Sequence, residues 1–232
     1  MQSGQILIAT SSNDASWEEI PQPDWTLSSN TWDYASSTTF TISGVDRTAI
    51  YRKGTRIKLT QSSTVKYFVV IESTYSGGDT TITIYAGADY ALANSAISDN
   101  YYSYITIPSD YPYWFNDTNI ILVADTGSTI TSPTYNRQVA SVIGKQVFVH
   151  FNASFTIGGT ATPNVFLNLP IAMVNGFDND AFGSISISDL SGTNSGIAMF
   201  DTSSRVSLRK YNSSNWATSG SPKVGSFFTY EI

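Results

Sequence analysis

The stretch that decides the fold is GTRIKLTQSSTVKYFVVI, which runs from Gly54 to Ile71. In its first half apolar residues alternate with Arg, Lys and Thr, and after the polar break QSST the alternation resumes. A period of two on both sides of a short break predicts a β-hairpin with one buried face. The side chains that share this face in the second strand are Val65, Tyr67, Val69 and Ile71. Phe68 and Val70 are apolar too, so we expect this strand to be covered on both sides for part of its length.

The composition fits an all-β protein with an outer surface rich in hydroxyl groups. The chain has 232 residues, which is long enough to bury a sizeable core in one large β domain or two smaller ones. Charged residues make up 13% and aromatic residues another 13%. The charged share is about half the usual one, and the abundance of apolar and β-branched residues argues against disorder.

The charge and the cysteine content exclude several classes of partner. The formal net charge of −6 disfavours nucleic-acid binding, which needs a basic surface, and it disfavours docking on anionic membranes. No window approaches the ~20 apolar residues of a membrane-spanning helix, so we predict no membrane insertion. The chain has no Cys, hence neither disulfides nor a thiolate metal site.

Residues 1–33 are predicted to form an extended N-terminal attachment arm. Two Trp and two Pro fall within the nine residues WEEIPQPDW that begin at Trp17, and Pro at these positions forbids a helix and disfavours a central strand. Large apolar anchors on an extended segment suit a subunit or partner interface. The candidates for that role are Trp17, Ile20, Trp25 and Trp32. The alternative is a strap that packs on its own domain.

Residues 34–116 are predicted to form a small β-barrel or sandwich that ends in an aromatic linker. Short alternating strands follow one another with turn signals such as SGGD between them. The closing segment YYSYITIPSDYPYWFN is crowded with aromatic rings, which pack well against sugars and partner proteins. Candidate ligand-facing aromatics are Tyr111, Tyr113 and Trp114, together with Trp216 further on. The alternative is a linker clamped between two domains.

Residues 117–232 are predicted to form an antiparallel, jelly-roll-like β-sandwich. The clearest strand is QVFVHFNASFTI, which begins at Gln146, and the chain closes on an alternating segment that ends at Ile232. About eight such strands are what a jelly-roll-like sandwich needs. Residues 126–133 are predicted to be a loop.

The sequence offers no convincing catalytic or cofactor site. The single His, His150, lies on the more polar face of its strand and lacks the oriented partner and nucleophile that a general base needs. Asp178, Asp180 and Asp189 cluster in a loop-rich region, and a solvated turn is the simplest interpretation because the spacing lacks that of a calcium loop. We therefore predict no enzyme activity, no metal and no cofactor.

The first half resembles a β module that recurs in structural proteins of tailed bacteriophages and prophages. The residues that carry the resemblance are WDYA at Trp32, GTRIKLTQ at Gly54 and KYFVV at Lys66. The similarity covers about residues 32–108, with a Pro-containing exit after it. The second half is similar in general style to the variable C-terminal β domains of phage tail, fibre or head-decorating proteins.

The resemblance implies a non-enzymatic virion component, attached through its N-terminal half to other virion proteins and projecting the C-terminal domain. It also implies a homo-oligomer, with a trimer favoured, since repeated copies ordinarily form closed symmetric assemblies. The alternative is a receptor-binding module of a tail fibre or baseplate that recognises a host surface glycan. A glycan-degrading enzyme is the third hypothesis, and the absence of a repeat period in the chain disfavours it.

Overall fold

Period-two alternation dominates the chain, and β-strands are what it forms. The computed structural model describes residues 5–11, 14–19, 24–174, 181–189 and 192–232. Within these residues every regular element is a strand, no helix is present, and all strand pairs are antiparallel. The first two strands, β1 (Gln5–Ser11) and β2 (Asp14–Glu19), pair only with each other in a two-stranded sheet.

The next seven strands form one sheet, here called the N-terminal sheet. They are β3 (Thr26–Leu27), β4 (Asp33–Ser36), β5 (Thr39–Ile42), β6 (Arg56–Gln61), β7 (Thr64–Ser76), β8 (Asp79–Tyr85) and β9 (Ser98–Ser103). Their order across the sheet is β3-β9-β6-β7-β8-β5-β4. The sheet is not closed into a barrel. A barrel was one of the two architectures expected for this half of the chain, and that alternative is wrong.

The hairpin predicted from the opening stretch is β6–β7. Ser62 and Ser63 form its turn with φ of 52° and 63°, the left-handed conformation that two-residue hairpin turns use. Cover on both sides of β7 is confirmed, because Phe68, Val69 and Val70 are all buried. The expected single buried face is wrong: the ladder sets Val65 and Tyr67 opposite Thr60 and Lys58, on the polar side of β6, and Val65 is exposed there. The side of the hairpin that carries Ile57 and Leu59 instead carries the buried Phe68 and Val70 of β7.

The remaining nine strands form a second sheet, here called the C-terminal sheet. They are β10 (Phe115–Asn116), β11 (Leu122–Ala124), β12 (Ser128–Ile143), β13 (Gln146–Gly159), β14 (Val165–Asn168), β15 (Ala181–Asp189), β16 (Gly192–Thr202), β17 (Arg205–Lys210) and β18 (Lys223–Glu231). Their order is β10-β12-β13-β18-β15-β16-β17-β14-β11. The run β18-β15-β16-β17 is a Greek key, in which the fourth strand returns beside the first. The chain is thus all-β, with sheets of the sandwich type.

Burial alternates along the strands of the C-terminal sheet and defines an inner and an outer face. On β13 the side chains from Val147 to Ile157 are buried at every second position, and β18 buries Val224, Phe228 and Tyr230. The Leu122 amide on β11 donates to the Tyr135 hydroxyl on β12 at 3.1 Å, so the two ends of the sheet approach each other without a backbone ladder.

The loop predicted over residues 126–133 is wrong for most of its length, because β12 already begins at Ser128. The pairing register of β12 with β13 shifts twice, between Thr131 and Thr134 and between Tyr135 and Arg137. Bulges accommodate extra residues inside a ladder, and Pro is tolerated there. Pro133 and its polar neighbours therefore mark an irregular strand where their composition suggested a loop.

The two large sheets meet at a buried junction. Phe115 on β10 packs edge-on against Tyr85, Tyr90 and Tyr111 at 5.8–6.5 Å between ring centroids. The Tyr85 hydroxyl donates to the Asp117 carboxylate at 2.8 Å, and both residues are buried. The Asn116 carbonyl oxygen accepts from the Ala88 amide at 2.6 Å. A single continuous core therefore runs through both halves.

Candidate functional site

A row of small and polar residues crosses the outer face of the C-terminal sheet. Asn152 on β13 pairs with Gly225 on β18, Gly225 pairs with Ser186 on β15, and Ser186 pairs with Ser195 on β16. These four positions alternate with buried neighbours such as Phe151 and Ile185, so they face outward. Because Gly225 has no side chain, the surface sinks at the middle of the row.

Aromatic side chains stand beside this row. Phe227 is 57% exposed and lies opposite His150 in the next outward position of the β13–β18 ladder. Its ring centroid lies 6.2–6.4 Å from those of His150, Phe148 and Trp114. The ring centroids of Tyr113 and Trp114 lie 5.5 Å apart. We call these five residues, Tyr113, Trp114, Phe148, His150 and Phe227, the aromatic patch.

The row, with His150 and Phe227 of the aromatic patch beside it, bounds a groove of about 540 Å³. Its outward-facing lining is Asn152, Ser184, Ser186, Ser195 and Gly225, with Phe227 and His150 along one side. The Asn152 Oδ1 accepts a hydrogen bond from the Asn136 side chain at 3.1 Å, while its Nδ2 lies on the side of Gly225. The amide is thus turned with its donor toward the groove.

The groove can hydrogen-bond without presenting a full charge. Its lining residues, all in the described part of the chain, include no carboxylate, lysine or arginine. Serine hydroxyls both donate and accept, and the asparagine amide does so through separate atoms. Polar groups dominate this lining and Phe227 supplies its exposed apolar wall, whereas most small-molecule sites are mainly apolar. The arrangement suits an uncharged ligand that carries many hydroxyl groups and has one apolar face.

The four predicted ligand-facing aromatics fall in different environments. Tyr113 is 53% exposed and Trp114 is half-buried, and both belong to the aromatic patch. Tyr111 lies in the core, where its ring contacts Trp25, Tyr67 and Phe115 and where burial raises its pKa above the ordinary value. Trp216 is only 1% exposed and packs on Phe155 at 5.5 Å. The structure therefore brings together Tyr113 and Trp114, and it places Tyr111 and Trp216 in the core.

The predicted interface residues are also divided. Trp25 is buried and its indole donates to the Ser109 carbonyl oxygen at 2.9 Å, while Trp32 is stacked on Phe40 at 4.6 Å. Both lie in the core of the N-terminal sheet of their own chain. The backbone of Trp17 lies in β2 opposite Leu7, and Ile20 lies outside the described residues.

The carboxylates that the sequence singled out supply no described site. Asp178 and Asp180 lie outside the described residues, and of Asp189 only the backbone, at the end of β15, is described. Across the described ranges no three His, Asp or Glu side chains are grouped as metal ligands would be. His150 is exposed on the outer face, as the polarity of that face of its strand predicts.

Asn152, Gly225 and Phe227 were not predicted from the sequence. A signal for Phe227 was present: the closing strand places Phe228, Tyr230 and Ile232 on one face, which leaves Phe227 as an aromatic ring among outward-facing polar residues. The row of small residues was not recognisable, because it is assembled from the β15–β16 hairpin and two strands, β13 and β18, that lie elsewhere in the chain.

Comparison with protein-family models, with curated proteins and with solved structures found no match. No helix long and apolar enough to cross a membrane occurs among the residues that the structure describes. The fold and the site together define an all-β protein with sandwich-type sheets and an aromatic-walled surface groove.

Proposed function

We propose that this chain is a non-enzymatic structural protein of a tailed-phage virion, a homo-oligomer that is attached through its N-terminal half and projects its C-terminal sheet. The resemblance of residues 32–108 to a phage β module supports the assignment. The observation that carries the projecting geometry is the junction, where Phe115 and the Tyr85–Asp117 hydrogen bond are buried. A buried junction holds the C-terminal sheet in one orientation relative to the attached half.

The β1–β2 hairpin supports attachment through the N-terminus. It forms a ladder with neither large sheet, and an isolated two-stranded hairpin is at best marginally stable in water. In the hairpin register Leu7 is the ladder partner of Trp17. In the proposed assembly a neighbouring virion protein or a second copy of the chain packs against this hairpin.

Deletion of residues 1–23 tests the attachment. We expect the truncated chain to keep its far-UV circular dichroism and melting temperature and to be lost from purified particles, as measured by immunoblot. The contrasting variant is Trp25→Ala, which should destabilise the fold because Trp25 is buried in the N-terminal sheet. Normal incorporation of the truncated chain would refute attachment through the arm.

A second candidate function, recognition of a host surface glycan, is favoured by the groove and the aromatic patch. Exposed aromatic rings beside amide and hydroxyl groups are suited to sugars, which have apolar faces and polar rims. This function is compatible with the structural one, since a projecting sheet is well placed for contact. Because the proposal is binding without cleavage, incubation with host polysaccharide should produce no new reducing ends.

A further inference from the structure

We propose that the groove at Gly225 binds a short stretch of an uncharged polysaccharide, with Phe227 stacking on a sugar ring. The row of Asn152, Ser186 and Ser195 then hydrogen-bonds the sugar hydroxyls. The proposal rests on the glycan-recognition function proposed above and deepens it by naming the site and the ligand class.

The first support is the exposure and the fixed position of Phe227. More than half of its side chain faces solvent, although an apolar ring on a sheet is ordinarily turned inward. Three neighbouring rings at 6.2–6.4 Å hold it in place. A ring that is ordered before the ligand arrives loses little conformational entropy on binding.

The second support is the identity of residue 225. Gly225 does not have a positive φ, so its backbone conformation is open to any L-amino acid. A Cβ atom there would lie 3.1 Å from the Asn152 Nδ2 atom, on the floor of the groove. The backbone conformation does not require glycine here, and the absence of a side chain keeps the floor of the groove open, as expected of a position that a ligand approaches closely.

The third support is the length of the polar row. Neighbouring strands lie ~4.8 Å apart, so the row that crosses from β13 to β16 spans about 14 Å. Hydrogen-bonding groups at fixed positions along this length match a short oligosaccharide better than a single sugar. The ladder sets their spacing, which makes the row rigid.

Charge selects between neutral and acidic polysaccharides. The groove lining has no cationic side chain to pair with a uronate or sulfate, and the chain carries a formal net charge of −6. An acidic polymer would be repelled by the protein as a whole and would find no ion pair in the groove. The ligand is therefore an uncharged one.

Affinity electrophoresis of the full chain tests the proposal. One set of native gels would contain a neutral polymer, namely a glucan, mannan, galactan or rhamnan. A second set would contain an anionic polymer, hyaluronan or alginate. We expect at least one neutral polymer to retard the protein, and neither anionic polymer to do so. Gly225→Val fills the groove and Phe227→Ala removes its wall, and each should weaken binding about tenfold or more. Gly225→Ala serves as a smaller replacement if the valine variant fails to fold.

Two control variants introduce a valine or remove an aromatic ring, as the test variants do, but at positions outside the groove. Thr229→Val is a β-branched substitution at an outward position of the same strand, and Tyr75→Ala removes an exposed ring from the N-terminal sheet. Both should bind as the parent does. Circular dichroism and melting temperature verify that every variant is folded.

The possible outcomes separate the site from the function. Neutral-polymer binding that survives Gly225→Val and Phe227→Ala would overturn the groove assignment and leave glycan recognition standing. Binding to anionic polymers alone would overturn the ligand class. Retardation by no polymer would overturn both. A fall in oligomer mass on Phe227→Ala, measured by light scattering, would show that the patch is a subunit contact and would overturn the proposal.

Discussion

Replacement of Gly87 by alanine tests how the two large sheets are packed together. A Cβ atom on Gly87 would lie 2.0 Å from the Asn116 carbonyl oxygen, about 1 Å closer than such atoms approach in proteins. The same oxygen accepts the Ala88 amide at 2.6 Å. The added methyl group therefore cannot be accommodated unless the backbone of the junction moves apart and this hydrogen bond lengthens.

The magnitude follows from a comparison with Gly77→Ala. Both glycines have positive φ, +57° at Gly87 and +65° at Gly77, but nothing lies within 4 Å of a Cβ on Gly77. Both variants carry the left-handed strain of about 1–2 kcal/mol. Only Gly87→Ala adds overpacking of about 1–3 kcal/mol and a weakened hydrogen bond of about 0.5–1.5 kcal/mol. We expect the free energy of unfolding to differ between the variants by about 2–4 kcal/mol.

Urea unfolding followed by tryptophan fluorescence measures this difference, and thermal unfolding provides a second readout. For a chain of this size 1 kcal/mol corresponds to about 2–4 °C in melting temperature, so the two variants should melt about 4–16 °C apart. If their free energies of unfolding agree within about 0.5 kcal/mol, the close approach of Gly87 to Asn116 is not a feature of the folded protein.

Two further predictions concern hydrogen-bonded side chains. Tyr85→Phe removes a buried 2.8 Å bond to Asp117 and should cost about 1–3 kcal/mol, whereas Tyr75→Phe, at an exposed position, should stay within about 0.5 kcal/mol of the parent; equal effects on unfolding would contradict the buried bond. Hydrogen bonds from the Asn164 side chain and then from the Thr126 amide lower the pKa of Asp125. Because the folded pKa is below the unfolded value of about 3.9, this stabilisation is present above that value and is lost as the pH falls through the folded pKa. Asp125→Asn should therefore flatten the acid limb of urea stability measured from pH 7 to pH 2.5, and an unchanged acid limb would argue against it.

Local alternation predicted the regular strands such as β6, β7 and β13, but it missed the irregular start of β12, and it did not predict which polar residues are buried. Arg56 lies at an outward position of the β6 alternation, and Gln61 is a polar residue on the side of Ile57 and Leu59, yet both are buried. The Arg56 guanidinium lies 4.9 Å above the Tyr111 ring and its Nε donates to the Thr106 carbonyl oxygen. Gln61 exchanges hydrogen bonds with the backbone around Ala93. The segments that cover Arg56 and Gln61 lie more than thirty residues away in sequence. Alternation within one strand does not reveal such distant contacts.

The candidate site was predictable only in part for the same reason. Tyr113 and Trp114 stood out because aromatic residues crowd their segment. That segment also contains Tyr111, and composition alone does not separate a ring that enters the core from one that remains outside. The groove itself depends on the pairing of β13, β18, β15 and β16. No local sequence pattern predicts this strand order or the position of Gly225 within it.

The irregularities of β12 have a consequence for the behaviour of the protein in concentrated solution. Among the described residues β10 pairs with only two residues of this strand, Val139 and Ala140. Side-chain hydrogen bonds reach the strand at Tyr135 and Gln138, so the margin from Ser128 to Thr134 has no ladder partner on that side among these residues. An uncovered margin of this length would ordinarily recruit strands of other molecules and seed aggregation. Pro133 and the two register shifts interrupt it at intervals too short for a stable intermolecular ladder. We therefore expect that straightening the strand would make this margin more prone to pair with strands of other molecules.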